Sequence, residues 1–251
     1  MIANKRVIDK EKLDKVMEDL RHLAFAEFFK EGDADFSSYD KGGMLAGIQN
    51  EMIALIERAL LFERHSYNRT AIDLTLRFME ELPEIIRLLH SDVAAAFDGD
   101  PAASSYAEII VAYPGLYTIS IQRFAHILYE LRIPILPRLM TEMAHSKTGI
   151  DIHPGAVIGE RFFIDHGTGI VIGETAVIGS NVKLYHGVTL GAITTRKGQQ
   201  LKGRRRHPSV GSNVTIYANA TVLGGETHIG SGSTLAGGVL VTESVPENSV
   251  V

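Results

Sequence analysis

The chain has 251 residues, 45% of them apolar and 22% charged, with a formal net charge of −5 and no cysteine. This is the composition of a soluble globular protein of one large or two modest domains. It excludes disulfides and thiolate metal sites and gives no global field that would favour nucleic acid. Met1-Ile2-Ala3-Asn4-Lys5-Arg6 lacks the apolar core of a signal peptide, and no run of about 18 apolar residues occurs, so a cytoplasmic location is expected and neither secretion nor a membrane span is.

Leu13, Val16, Met17, Leu20, Leu23 and Ala24 follow the i, i+3, i+4 spacing of an amphipathic helix, which Gly32 and the polar run to Gly42-Gly43 are expected to end. A second helix is predicted over 44–62 and a third over 70–82, with Pro83 opening a fourth towards Phe97. Phe97-Asp98-Gly99-Asp100-Pro101 reads as a breaker, with Asp100 as an N-cap and Pro101 at the first helical position. Tyr113-Pro114-Gly115 precedes a helix near 116–131, and Pro134 and Pro137 bracket the way into a last helix ending near His145. This half carries no phosphate loop and no metal-ligand spacing, so its expected work is packing, on itself or on a second subunit.

From Ile152 onward the period changes. Aliphatic residues recur every six positions at Ile152, Ile158, Ile164, then Ile172, Ile178, Leu184, Leu190, then Val210, Ile216, Val222, then Ile229, Leu235, Val241. Neither a helix (3.6) nor a simple strand (2) has this period; hexads build a parallel β-helix in which each repeat is one short strand and a corner. The expected organisation is therefore α+β: an all-α N-terminal domain over 1–147 followed by a β-helix over 148–251. The repeat breaks twice. From Ile164 to Ile172 two extra residues sit in Gly167-Thr168-Gly169-Ile170. Between Leu190 and Val210, residues 192–207 must leave the coil as a loop, carrying Lys197, Lys202, Arg204, Arg205 and Arg206.

With three hexads to a turn, equivalent positions stack about 4.7–4.9 Å apart. That makes His166 and His186 neighbours on successive coils and brings Asp151 within about one coil of His166. A carboxylate on one imidazole nitrogen fixes the tautomer and leaves the other nitrogen as a base, so Asp151–His166 is a candidate dyad, against the plainer reading of solvated corner residues. The basic loop reads either as a solvated surface or as an anion trap for phosphate or carboxylate; without interleaved aromatics it does not read as a nucleic-acid site.

Asp151-Ile152-His153-Pro154, the segment from Ile164-Asp165-His166-Gly167-Thr168-Gly169 through Ile178, Val188-Thr189-Leu190-Gly191 and Arg206-His207-Pro208 together resemble the serine acetyltransferases of cysteine biosynthesis. The helical half, including Asp100-Pro101, is similar as well. The resemblance implies a left-handed β-helix, three subunits side by side or two such trimers as a hexamer, and active sites between adjacent β-helices. It implies His166 as general base with Asp151 as partner, and His207 as a second active-site histidine contacting substrate. It further implies Arg206 on the L-serine carboxylate, Asp100 and Asp165 on its ammonium, and Gly191, Ala192, Ala218 and Gly237 along the arm of acetyl-CoA, with no metal. L-cysteine would compete at the serine site. A C-terminal arm beyond the last hexad, whose end can dock into O-acetylserine sulfhydrylase, is a family feature; with the sequence closing at Ser249-Val250-Val251 that complex is not expected. The assignment is chemically coherent, because a zwitterion with a weak nucleophile needs one cation, anions and a base. Three other readings stand beside it: a sugar or xenobiotic acetyltransferase, a zinc lyase using His166, His186 and His207, and a non-catalytic trimeric scaffold.

Overall fold

The computed structural model describes residues 8–28, 41–62, 69–196 and 198–251. Helix α1 (Lys10–Ala24) is capped by Asp9, whose carboxylate accepts the backbone N–H of Glu11 and Lys12, and it buries Leu13, Val16, Met17, Leu20 and Ala24. It ends well before Gly32, a stop that lies outside the described residues. Helix α2 (Lys41–Leu60) takes Gly42 and Gly43 into its first turn, so these glycines do not act as breakers.

The third and fourth predicted helices are one. Helix α3 (Ala71–Gly99) opens on a Thr70–Asp73 capping box and runs straight through Pro83. The apolar stripe of Leu74, Phe78, Leu82, Ile85, Leu89 and Val93 continues across the proline without a phase change. Pro83 lies on the exposed face, where water can serve the Met79 carbonyl that its missing N–H leaves free. Asp100 is likewise not an N-cap: it is the C-cap of α3, and Ser105 caps the next helix, α4 (Tyr106–Ala112). Helix α5 (Pro114–Glu130) has proline in its first turn, and α6 (Leu136–Thr148) closes on Gly149 in the left-handed region at φ 73.

Strands follow from Asp151, and the thirteen aliphatic hexad positions supply one inward residue to each of thirteen strands. Numbered along the chain, sheet one stacks β1 (Asp151–Ile152), β4 (Val171–Ile172), β7 (Thr189–Gly191), β10 (Thr221–Leu223) and β13 (Leu240–Val241). Sheet two stacks β2 (Val157–Ile158), β5 (Val177–Ile178), β8 (Ser209–Val210) and β11 (His228–Ile229). Sheet three stacks β3 (Phe163–Asp165), β6 (Lys183–Tyr185), β9 (Thr215–Ile216) and β12 (Thr234–Leu235). All pairings are parallel, and the coil is a left-handed β-helix of triangular section. Three hexads make one turn: Ile164 pairs with Leu184 and Leu184 with Ile216. Residues 192–208 leave the coil as one excursion between β7 and β8, with a short 3-10 turn at Gly198–Leu201; Lys197 lies outside the described residues.

The helical region and the prism share one continuous core. A buried ion pair between two helices, Arg123 on α5 with Asp92 on α3, bidentate at 2.7 and 2.9 Å, anchors a polar link between the two regions. Arg123 also donates to the Ile158 and Gly159 carbonyls, and Asp92 accepts the Phe162 N–H at 2.8 Å, so both buried charges are satisfied by hydrogen bonds. This pins α3 and α5 to the coil that precedes His166.

Candidate active site

The prism has three edges, and the two repeat irregularities fall on different ones. Regular corners after sheets two and three turn through a left-handed residue three places after the inward aliphatic: Arg161, Asn181, Gly187, Asn213, Asn219, Gly232 and Gly238 all have positive φ. After Ile164 the two extra residues move that turn one place forward, and His166 takes it, at φ 60. A bulky left-handed residue is costly and signals a constrained position. Gly167 (φ 92) follows, in a place where a Cβ would lie 2.4 Å from Ile150 Cδ1.

The first edge joins sheet three to sheet one. His166 stands there with its side chain 73% exposed, its Nε2 3.6 Å from Asp165 Oδ1. The His186 ring packs edge-on against it at 5.7 Å, as the stacking arithmetic requires. Backbone hydrogen bonds continue the column, from Asn219 N–H to the His186 carbonyl and from Gly238 N–H to the Ala218 carbonyl, so Ala218 and Gly237 lie below the histidines on this edge. The helical region reaches the same place. Asp100, directly after α3, accepts the Tyr113 hydroxyl at 2.6 Å and the Ala102 N–H at 2.8 Å. Those two bonds hold its carboxyl below the usual carboxylate range, with help from the Lys183 cation nearby. Tyr113 is in turn pushed up to about 12 by its bond to Asp100. Lys183 ties the group together, its ammonium 3.1 Å from Asp165 Oδ2 and 2.8 Å from the Gly99 carbonyl.

The second edge joins sheet one to sheet two. Here the loop returns as Arg206-His207 and docks on the corner after β4. Thr175 organises it: its hydroxyl oxygen accepts the N–H of Arg206 and of His207 at 2.9 and 3.1 Å, and its backbone N–H donates to His207 Nδ1 at 3.0 Å. Nδ1 therefore carries the lone pair, and the neutral ring's hydrogen sits on Nε2. Burial, reinforced by the adjacent Arg206 cation, holds the imidazole down to about 4. The ring packs against Gly173, where a Cβ would come within 2.0 Å of it. Arg206 is ion-paired to Glu174, which also accepts the Tyr129 hydroxyl of α5 at 2.8 Å. Gly191 and Ala192 lie on this edge, at the loop's departure.

The structure thus brings Asp100, Asp165 and His166 together, and separately Arg206 with His207. Within one chain the two groups occupy different edges, so His166, His186 and His207 do not converge. Asp151 makes no hydrogen bond to His166 among the described residues. Its carboxylate instead lies with Glu142 and His145, whose ligand atoms all fall within 4.8 Å of one another, an arrangement that could hold a cation. Glu142 is already paired with Arg138 at 2.5 Å. Lys183, Tyr113 and Thr175, which the sequence does not single out, contact these residues, and Glu174, which reads from the sequence as a corner residue, is the partner of Arg206. Lys183 was within reach of the same stacking arithmetic, since it precedes Leu184 where Asp165 follows Ile164, which makes the two diagonal neighbours on adjacent strands.

No family profile matches the chain. Its sequence is 45% identical over 259 aligned residues to a plasmid-borne serine acetyltransferase of Synechococcus elongatus, covering 96% of this chain and 80% of that protein. It is 47% identical over 165 residues to the serine acetyltransferase of Bacillus subtilis, covering 66% of this chain and 73% of that one. Among solved structures, Entamoeba histolytica serine acetyltransferase 1 in complex with L-cysteine superposes with a TM-score of 0.83 at 36% identity, covering 94% of this chain and 85% of that chain.

Proposed function

The chain belongs to the serine acetyltransferase family, and on that premise we propose that it moves acetyl from acetyl-CoA to the L-serine hydroxyl at a site that two copies of the chain complete together. The observation that carries this reading is the split just described: the anions and an exposed histidine on one edge, the cation and a buried histidine on the next. Neither half suffices for a zwitterionic nucleophile, and side-by-side packing about a three-fold axis sets the first edge of one copy against the second edge of its neighbour. Outward-pointing Val157 and Val177 on sheet two and Val171 on sheet one, each at least 40% exposed, give the faces flanking the second edge an apolar surface suited to such packing.

In this reading Asp100 and Asp165 hold the serine ammonium and Arg206, released from Glu174, takes the carboxylate. His166 removes the hydroxyl proton as the serine oxygen attacks the thioester carbonyl. The tetrahedral intermediate collapses with loss of the CoA thiolate, which recovers the proton from His166. Asp151, whose carboxylate has no hydrogen bond among the described residues, is the group we assign to orient the His166 ring in the assembled site. His207 offers a fixed Nε2–H to the substrate. The arm of CoA runs along the groove bounded by Gly191 and Ala192 of one copy and Ala218 and Gly237 of the other. L-cysteine, with the same ammonium and carboxylate, competes with serine. The assembly is a homotrimer, or a hexamer if the helical regions pair two trimers.

The test is release of CoA thiol from acetyl-CoA against L-serine, L-homoserine and a sugar panel, with and without L-cysteine. Release with L-serine, suppressed by cysteine, supports the reading. Release only with a sugar overturns it.

A further inference from the structure

Asp165 and Asp100 reach the first edge from different parts of the fold, one from β3 and one from the turn after α3. Two carboxylates that grip one ammonium must be held to a fraction of an ångström, and a loosely docked helix end would not do that. Close packing supplies part of the registry: a Cβ on Gly99 would lie 2.9 Å from Phe163 Cδ1, so the end of α3 rests directly on the Phe163 ring. Lys183 supplies the rest. It stands on β6 opposite Phe163, and its ammonium lies 4.8 Å from the Phe163 ring centroid and 4.5 Å from that of Tyr185. From this aromatic seat it bonds the Gly99 carbonyl, one residue before Asp100, and Asp165 Oδ2. One cation therefore bridges the two elements that carry the two carboxylates. The side chain is 20% exposed and Asp165 16%, so water does not readily replace either partner.

The charges agree with this geometry. Asp100 and Asp165 carry two negative charges and an incoming amino acid brings one ammonium. Lys183 compensates the surplus from the far side of Asp165, leaving Oδ1, the oxygen facing His166, unclaimed by the lysine. We infer that Lys183 is a positioning residue of the serine site, setting the separation of Asp100 and Asp165 and leaving one carboxylate oxygen of Asp165 for the substrate ammonium. The inference rests on the reading that these two carboxylates hold that ammonium.

The test is steady-state kinetics on the intact oligomer with L-serine and acetyl-CoA varied independently, for Lys183→Met, Lys183→Arg and, as reference, Asp165→Asn. Loss of a charge-assisted contact of this kind is expected to raise the serine KM of Lys183→Met by about tenfold, with kcat within about threefold and the acetyl-CoA KM unmoved. Lys183→Arg, which can span the same acceptors, is expected to restore most of the serine KM; should the methionine variant not fold, Lys183→Gln takes its place. A serine KM that stays constant or falls in Lys183→Met while Asp165→Asn raises it overturns the role of Lys183, and a fall would mean that the lysine competes with substrate. An equal loss for both substrates would make Lys183 merely structural and also overturns it. A serine KM unmoved even in Asp165→Asn removes the ammonium reading itself, and the inference with it.

Discussion

Two histidines on neighbouring edges of one prism are built in opposite ways. His166 sits in a left-handed corner, its side chain 73% exposed, with no hydrogen bond among the described residues to fix its tautomer. His207 is 8% exposed, accepts from the Thr175 N–H, and stays neutral to about pH 4. The contrast fits the division of labour proposed for the two rings. A ring that must take up and return a proton needs access and a partner that arrives with assembly, whereas a ring that only offers a fixed N–H is best buried with its other nitrogen already occupied.

The sharpest way to break this comparison is to remove each ring. His166→Ala is expected to lower kcat by about two to four decades, as loss of a general base does. His207→Gln, which keeps a donor, should lose much less; equal losses would erase the distinction. Next in size is the link that pins the helices to the coil carrying His166. Asp92→Ala leaves Arg123 buried and unpaired and should cost about 3–5 kcal/mol of stability, read from denaturant unfolding; a change under about 1 kcal/mol would mean that the pair does not hold the two regions together.

Arg206→Ala should raise the serine KM by about one to two decades with acetyl-CoA little affected, the scale of a lost charged hydrogen bond. A raised acetyl-CoA KM alone would move Arg206 to the cofactor. The smallest effect is the dependence of stability on pH. His207 and His153, both near the second edge, are pulled down from 6.5 to about 4, chiefly by burial. Between those values the unfolded chain binds protons that the folded chain does not, so stability is lost as pH falls through that window. His153→Asn should flatten the melting temperature over this range relative to the parent chain, and an unchanged slope would remove His153 from the account.

The prism was legible because its physics is periodic. Each inward aliphatic of the hexad pattern became a strand, and counting three hexads per turn put His166 beside His186. The helical half was less so, because breaker rules are local. Pro83 sits on a solvated face where the lost N–H costs little, and Asp100, which has the pattern of an N-cap, ends a helix and serves a turn instead. Contacts such as Arg206–Glu174 and Arg123–Asp92 join segments that no period relates, so no spacing could announce them. The split of the site over two edges was foreshadowed only as two breaks in the repeat; which edges they occupy required the strand order.

That split is the central claim, and mixing subunits tests it directly. His166→Ala oligomers, which lack kcat, and Arg206→Ala oligomers, which turn over little when serine is held near the parent KM, are dissociated, mixed in equal amounts and reassembled, and thiol release is measured at that serine concentration. If each site takes one edge from each of two copies, random mixing leaves both wild-type edges at about one site in four, and activity returns to about a quarter of the parent level. Activity that stays at the level of the separate variants, with exchange of subunits verified, would contradict a site shared between copies.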